Sequence, residues 1–299
     1  MSQPTPERAL AIRPARAEDR EAILAFSRQT WAWGDYLETV WDEWLASTEG
    51  RMLVGEIDGR PIAVGRARIV GPGEGWLEGL RVDPSVRRSG VGGAMTTATL
   101  GAARELGAEV VRFATRSDAY PIHRIAEKLG FVKVASYSVL SAAAAEAADG
   151  GGAAVALGPE DEESAWRLLS TLAPALTWRS WHCRALHQDE LLARIGTEEA
   201  FAPPGGGGSP DTSAVAFAVD EADDGNLVAD LVAAREPEAL SRLGLSLRHL
   251  AAERGLARVE ARVLEEATLV GALEAAGFST FGQIDVPFWI FEWRGEPTG

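Results

Sequence analysis

The stretch WLEGLRVDPSVRRSGVGGAM, Trp76 to Met95, decides how this chain is read. An apolar run carrying one carboxylate, Glu78, passes through Asp83-Pro84 into two arginines and three glycines, and a helix is expected from about Gly92 to Leu106. A helix that opens straight from a strand presents unpaired backbone N–H groups in its first turn. Glycines let an anion approach those groups, because no Cβ stands in the way. Arg87 and Arg88 add fork-shaped cationic donors that suit phosphate oxygens. Arg87, Arg88, Ser89, Gly90, Val91, Gly92 and Gly93 therefore read as a diphosphate cradle, the alternative being a glycine-rich turn with solvated arginines. In the preceding strand, period-two geometry sets Trp76, Glu78, Leu80 and Val82 on one face, which leaves Glu78 as an acid among apolar neighbours.

Two common phosphate motifs fail on residues. A P-loop needs Gly-Lys-Ser/Thr, and no lysine is present here. A dinucleotide fingerprint needs a third glycine where Met95 stands. Arg-x-x-Gly-x-Gly on Arg87, Gly90 and Gly92 instead resembles the most specific motif of the GCN5-related N-acetyltransferases (GNAT). Val82-Asp83-Pro84 matches that family's Val-x-Pro lead-in, and Glu127 to Phe131 its E-K-L-G-F signature. The resemblance covers about Leu10 to Leu140 and, more weakly, the second half. It implies acetyl-CoA as cosubstrate and coenzyme A as product, with the pyrophosphate on Arg87 to Gly93. The pantetheine arm would lie in a gap between the fourth and fifth strands, against Leu80, Arg81 and Val82, and the Leu80 N–H would face the thioester carbonyl.

Outward from this core, Leu10–Ala15 reads as a strand and EDREAILAFSRQTW as a helix with an acidic start. RMLVGEIDGRPIAVGRARIV is a hairpin about Asp58-Gly59. Ala108–Arg116 is a strand, YPIHRIAEKLG a short helix ended by Gly130, and FVKVASYSVL a closing strand. Ser141–Ala154, low in complexity, reads as a linker, and Ala202–Ser213 as a mobile surface loop.

After the linker the order of elements repeats. Ala103–Thr115 aligns with Ala251–Val263, Gly107 opposite Gly255, and Ala126–Phe131 aligns with Leu273–Phe278. The expected fold is α/β with a mixed sheet, in two tandem GNAT-like domains over 8–140 and 155–297 joined by a linker over 141–154. Each would be a mostly antiparallel sheet with splayed central parallel strands, flanked by helices. The second domain lacks the cradle: Glu236, Pro237 and Glu238 stand where it should be, and carboxylates repel a pyrophosphate. It is expected to be structural. Mycothiol synthase resembles this tandem layout, with the catalytic half reversed.

Acetyl transfer to an amine needs a group that removes a proton from ammonium. Several GNAT members place a glutamate base at the position of Glu78; alternatively Glu78 pairs with Arg66 or Arg68 on the neighbouring strand. The tyrosine that many relatives carry as general acid is Ala126 here, and their asparagine near the helix start is Ala119. Tyr120 or His123 can substitute, or be packing and surface residues. On the acceptor side, Trp31 and Tyr36 can wall a pocket and Asp35 can hold an ammonium. Arg116 can bind a substrate carboxylate, a phosphate or nothing. The pairing of GDYL with EGLRVDP resembles acetyltransferases of free histidine within the superfamily. Trp41 and Trp44, at helical spacing, belong to the core.

The 299 residues carry a net charge of −15, which argues against a nucleic-acid or anionic-membrane partner, while an acidic surface suits solubility or a cationic substrate. The only cysteine, Cys183, allows no internal disulfide. With no apolar leader and no long apolar run, a cytoplasmic location is expected. Arginine nearly replaces lysine, which with the Ala and Gly richness suits a GC-rich bacterial genome. No metal is expected; His182, Cys183 and His187 are too sparse a set. The reading is an N-acetyltransferase of a primary amine on a small molecule, as a pseudo-dimeric monomer or a homodimer. A protein or peptide N-terminal acetyltransferase and a non-catalytic acyl-CoA-binding module are the alternatives.

Overall fold

In the computed structural model, which describes residues 9–28, 30, 34–146, 152–221, 225–282 and 284–295, the alternating apolar runs of the first half pair into one sheet. The chain divides into two compact units: Met1–Ala114 with Ala119–Val132 and Phe291–Gly299, and Thr115–Asp118 with Lys133–Ile290.

The first unit contains β1 (Leu10–Pro14), α1 (Asp19–Ser27), α2 (Leu37–Ala46), β2 (Gly50–Ile57), β3 (Arg60–Gly71), β4 (Glu74–Val82), α3 (Val91–Glu105), β5 (Val110–Arg116) and α4 (Tyr120–Lys128). Its strands lie in the order β1-β2-β3-β4-β5, antiparallel except for the parallel pair β4 and β5. Asp58 and Gly59 both take positive φ, the conformation a two-residue hairpin turn requires between β2 and β3. One face packs on α1 and α2, through Ile23, Leu24, Leu37, Trp41 and Trp44 against Met52, Val54 and Val64. Leu37, Trp41 and Trp44 recur at helical spacing, and both tryptophans are core as expected. The opposite face packs on α3: a Cβ at Gly65 would meet Thr99 at 3.2 Å, and one at Gly55 would meet Met95 at 3.0 Å. Helix α1 stops at Ser27 instead of running on to residue 31.

The second unit contains β6 (Val132–Ala143), β7 (Val155–Ala156), α5 (Glu162–Leu169), β8 (Leu176–Arg179), β9 (His182–Ala185), α6 (Gln188–Gly196), β10 (Ala200–Ala202), β11 (Ala214–Glu221), β12 (Asn226–Ala234), α7 (Pro237–Glu253), β13 (Arg258–Leu264), α8 (Ala267–Ala275), β14 (Ser279–Thr280) and β15 (Phe288–Arg294). From Phe291 onward β15 belongs to the first unit, where it lies beside β5 and Glu292 receives a 2.7 Å hydrogen bond from Arg112. The second unit's strand order is β6-β13-β12-β11-β10-β7, with β12 and β13 parallel. Helices α7 and α8 cover one face, and α5 and α6 the other. The hairpin β8–β9 has no counterpart in the sequence reading. Of the segment 141–154, β6 takes residues as far as Ala143, and 147–151 lie outside the described residues. The loop 202–213 is closed by a bridge between Pro204 and Pro210.

Candidate active site

Strands β4 and β5 pair only from Glu74 to Trp76 and from Val110 to Arg112, then part. Beyond that point the β5-facing edge of β4 is open. The strand also changes parity there. Gly79 takes φ +67, and the register against β3 shifts between Val64 and Arg66. Before this bulge Gly75 faces α3, where a Cβ would meet Ala103 at 3.3 Å. After it Leu80 and Val82 face α3, Leu80 lying 3.8 Å from a Cβ built on Gly65. The single alternating face expected for Trp76, Glu78, Leu80 and Val82 is thus broken. Glu78 and Arg81 share the α2 face, and Leu80 and Val82 turn to the other. An isolated glycine inside a strand is the sequence signal of such a bulge.

The Asp83 N–H donates to Ile62 O on β3 at 2.8 Å. Backbone groups alternate sides along a strand, so the N–H groups of Val82 and Leu80 turn away from β3, towards the open edge.

Between β4 and α3 the chain makes a short 3₁₀ turn at Pro84–Val86, capped by Asp83, which accepts from the Ser85 N–H at 2.8 Å and from Arg60 at 2.7 Å. Burial raises the Asp83 carboxyl pKa, but these bonds and the neighbouring Arg60 and Arg87 charges hold it below its ordinary value. Arg88 takes φ +67 and Gly90, the residue before the helix, φ +88. Ser89 is tied back by its hydroxyl, which donates to Val86 O at 2.6 Å. Arg87, Arg88, Ser89 and Gly90 are exposed, and a Cβ on Gly90 or Gly93 would meet nothing within 4 Å. The N–H groups of Val91, Gly92 and Gly93 open the helix and so have no intrahelical acceptor. This is an accessible ring of backbone donors flanked by two guanidinium groups, and its chemistry fits a pyrophosphate.

On the α2 face of β4, Glu78 accepts a 2.6 Å hydrogen bond from Arg66, whose side chain is 2% exposed against 12% for Glu78. The ion pair weighed as the alternative for Glu78 is therefore formed. Arg66 lies over the Trp44 ring at 4.8 Å, Trp44 meets the Tyr36 ring edge-on at 5.9 Å, and Arg81 lies over Tyr36 at 5.1 Å. Arg81 donates to Asp35 at 2.5 Å and 3.2 Å, and Asp35 also accepts from the Leu37 N–H at 3.0 Å, which starts α2. Asp35, expected to hold a substrate ammonium, is thus 1% exposed and occupied by Arg81. Tyr36 keeps 36% of its surface accessible. Its phenol pKa is raised by desolvation first, against the pull of Arg81, with Glu78 adding to the rise. The sequence reading missed this chain of alternating rings and charges, because it hangs on the parity break at Gly79. Trp31 lies outside the described residues.

At the start of α4, Tyr120 is 67% exposed and meets the buried His123 edge-on at 6.0 Å; His123 packs on Phe291 at 5.4 Å. Ala126 is fully buried. Arg116 donates to Asp118 at 2.9 Å and to Asp285 at 3.2 Å.

A family model described as the acetyltransferase (GNAT) family matches residues 18–131. A GCN5-related N-acetyltransferase from Sphaerobacter thermophilus has a similar fold, with a TM-score of 0.64 over 95% of each chain at 16% identity. A tandem GNAT protein from the clavulanic acid biosynthesis pathway gives 0.56 at 16% identity, over 97% of this chain and 100% of that one. Residues 18–131 thus match the GNAT family, and the fold of the chain is similar to that of solved GNAT structures. Among curated relatives, the histidine N-acetyltransferase of Oreochromis niloticus is 35% identical over 82 residues, 27% of this chain and 24% of that protein. The chain thus spans about a quarter of the length of the curated relatives it matches.

The first unit's pattern of bulge and parting strands recurs in the second unit, with different contents. Leu227 and Ala229 of β12 pack with α7, as do Val232 and Ala234, whereas Leu231 and Ala233 join the α5–α6 core. Parity breaks at Asp230, and the register against β11 shifts beside it. By this alignment Asp230 stands where the first unit has Glu78. β12 and β13 part after Ala229 and Ala261. Beyond that point Arg262 of β13, where β5 has Ala114, donates to Asp230 at 2.5 Å, and Arg194 of α6 adds a 3.4 Å bond. All three side chains are at most 1% exposed. Between β12 and α7 the chain has only Arg235 and Glu236, and Pro237 removes a helix N–H.

Proposed function

We propose that the protein is an acetyl-CoA-dependent N-acetyltransferase that works in its first unit and acetylates the primary amine of a small molecule by direct attack. The observation that carries this reading is the parting of β4 from β5 directly before a glycine cradle, with Glu78 on the adjoining face. Arg87 to Gly93 would hold the pyrophosphate and the open edge of β4 the pantetheine arm. Acetyl-CoA supplies the activated acetyl group. The Leu80 N–H, turned towards the open edge, stabilises the charge that develops on the thioester oxygen. Glu78, oriented by Arg66, takes the proton of the acceptor ammonium, so that the neutral amine can bond to the carbonyl carbon as the C–S bond breaks. With Ala126 in place of a tyrosine, the sulfur leaves as thiolate, a tolerable leaving group near neutral pH. Tyr36, accessible above Arg81 and Trp44, walls the acceptor side.

In the second unit the Asp230–Arg262 pair fills the place of the thioester gap and the cradle is missing, which supports a structural role. The curated relative's name makes free histidine the first acceptor to try.

The test is release of free thiol from acetyl-CoA across amines, amino acids including histidine, aminoglycosides and peptides. The reading expects release with one class of small amine, lost in Glu78→Gln while acetyl-CoA binding persists. Acetyl-CoA binding with no release for any acceptor would favour a non-catalytic acyl-CoA-binding module.

A further inference from the structure

We propose that Arg124 and Lys128 on α4 hold the 3′-phosphate of coenzyme A, and so make the first unit select 3′-phosphorylated acyl donors. This subsite rests on the acetyl-CoA reading above and extends it. The protein carries a net charge of −15, and the cations of its first unit are nearly all engaged. Arg13, Arg28, Arg51, Arg60, Arg66 and Arg112 each pair with a carboxylate. Arg20 donates to a backbone carbonyl, and Arg104 lies over the Trp293 ring. Among the described lysines and arginines of that unit, the side chains of Arg87, Arg88, Arg124 and Lys128 alone make no ion pair, hydrogen bond or ring contact, and all are exposed.

These side chains flank one place. A Cβ on Gly92, in the first turn of α3, would meet the Ile125 side chain at 3.4 Å, so α4 lies directly against the glycine cradle. Arg124 and Lys128 are four residues apart and share one face of α4, beside the face that carries Ile125. Glu127 stands about 100° round the helix from Lys128 and pairs with neither cation. Charge separates the roles of the two pairs. Arg87, Arg88 and the open helix N–H groups meet the charge of a pyrophosphate diester, which leaves Arg124 and Lys128. A phosphate monoester carries about −1.5 to −2 at pH 7, and coenzyme A bears one on the ribose next to its pyrophosphate. A guanidinium and an ammonium on one helix face, with no carboxylate bound to either, suit that group.

Isothermal titration of the full chain with acetyl-CoA and with 3′-dephospho-acetyl-CoA tests the proposal. The parent should bind acetyl-CoA roughly tenfold to a hundredfold more tightly. Arg124→Gln and Lys128→Gln should each narrow that ratio by about threefold or more, and the double variant should bring it to about one. Affinity for the dephospho compound should stay at the parent's value, which also reports that the variants fold. Equal binding of both compounds by the parent, or a ratio unmoved in the double variant, would overturn the subsite and leave the acetyl-CoA reading standing. A double variant that loses the dephospho compound as strongly as acetyl-CoA would overturn it too, because the cations would then serve the pyrophosphate or the fold. Binding of neither compound by the parent would overturn the acetyl-CoA reading itself, and the subsite with it.

Discussion

Glu78 and Asp230 hold the same place in the two units, each where the facing of a strand changes parity, yet Asp230 is fully buried between Arg262 and Arg194 while Glu78 keeps 12% of its side chain accessible beside Arg66. The difference follows from what stands across the parting strands. An arginine on β13 reaches Asp230 and closes the gap, whereas Ala114 on β5 leaves it open. The same position thus carries a partly accessible carboxylate in one unit and a fully buried one in the other.

Asp230→Asn should therefore act on stability. The substitution leaves two buried guanidinium groups facing a neutral amide, and removing one partner of a buried ion pair costs about 3–5 kcal/mol. Urea unfolding should show a lower midpoint for the second unit. The double variant Asp230→Leu, Arg262→Met should recover part of that loss, because it removes one of the buried cations that Asp230 had balanced, while Arg194 keeps Glu190 at 2.8 Å and Glu199 at 3.1 Å. A midpoint for Asp230→Asn equal to that of the parent would mean that the pair contributes nothing.

Gly79 offers a sharper test of the bulge. A Cβ there would lie 2.6 Å from Trp44, whose ring is packed against Tyr36 and Arg66, and the residue sits at φ +67. Positive φ and overpacking each cost about 1–3 kcal/mol, so Gly79→Ala should lose roughly 2–6 kcal/mol. The displaced Trp44 would also move Arg66, and turnover should fall with stability. Unchanged thermal unfolding would show that the strand can straighten at no cost.

At Gly90 space and conformation separate. A Cβ meets nothing within 4 Å, so Gly90→Ala should cost only the positive φ, about 1 kcal/mol. The same methyl would stand in front of the helix N–H groups. Acetyl-CoA binding should weaken by at least about tenfold, and Gly90→Glu should abolish it. A stable Gly90→Ala protein that binds acetyl-CoA as the parent does would exclude this turn as the pyrophosphate site.

The glycine turn before α3 and the hairpin about Asp58-Gly59 were legible because each depends on a local rule, glycine where φ is positive. The doubled order of elements was legible for the same reason. The pairing of Arg81 with Asp35 was not, since it joins residues far apart in sequence and needs the one-residue slip at Gly79 to bring Arg81 onto the α2 face. Burial of a whole charged set, Arg194, Asp230 and Arg262, defeats any reading that assigns charged residues to the surface. The return of the chain's last residues to the first unit is likewise a long-range choice, fixed by contacts such as Arg112 with Glu292, on which no local pattern bears.

Asp19 should contribute to the acid sensitivity of the first unit. It is 2% exposed, accepts two 2.7 Å bonds from Arg13 and a 2.8 Å bond from the Arg16 N–H, and starts α1. The Arg13 hydrogen bonds, outweighing burial, hold its carboxyl below the usual carboxylate range. A folded value below the unfolded one means that the native state binds fewer protons, so stability rises with pH across that interval. The contribution is complete above the unfolded value, near pH 4, and is lost as pH falls through the folded value. Asp19→Asn should remove about 1.5–3 kcal/mol at pH 7, the scale of hydrogen bonds to a charged group. It should also flatten the fall of the unfolding midpoint below pH 4. Parallel acid-unfolding curves for the parent and Asp19→Asn would show that other carboxylates carry the acid sensitivity.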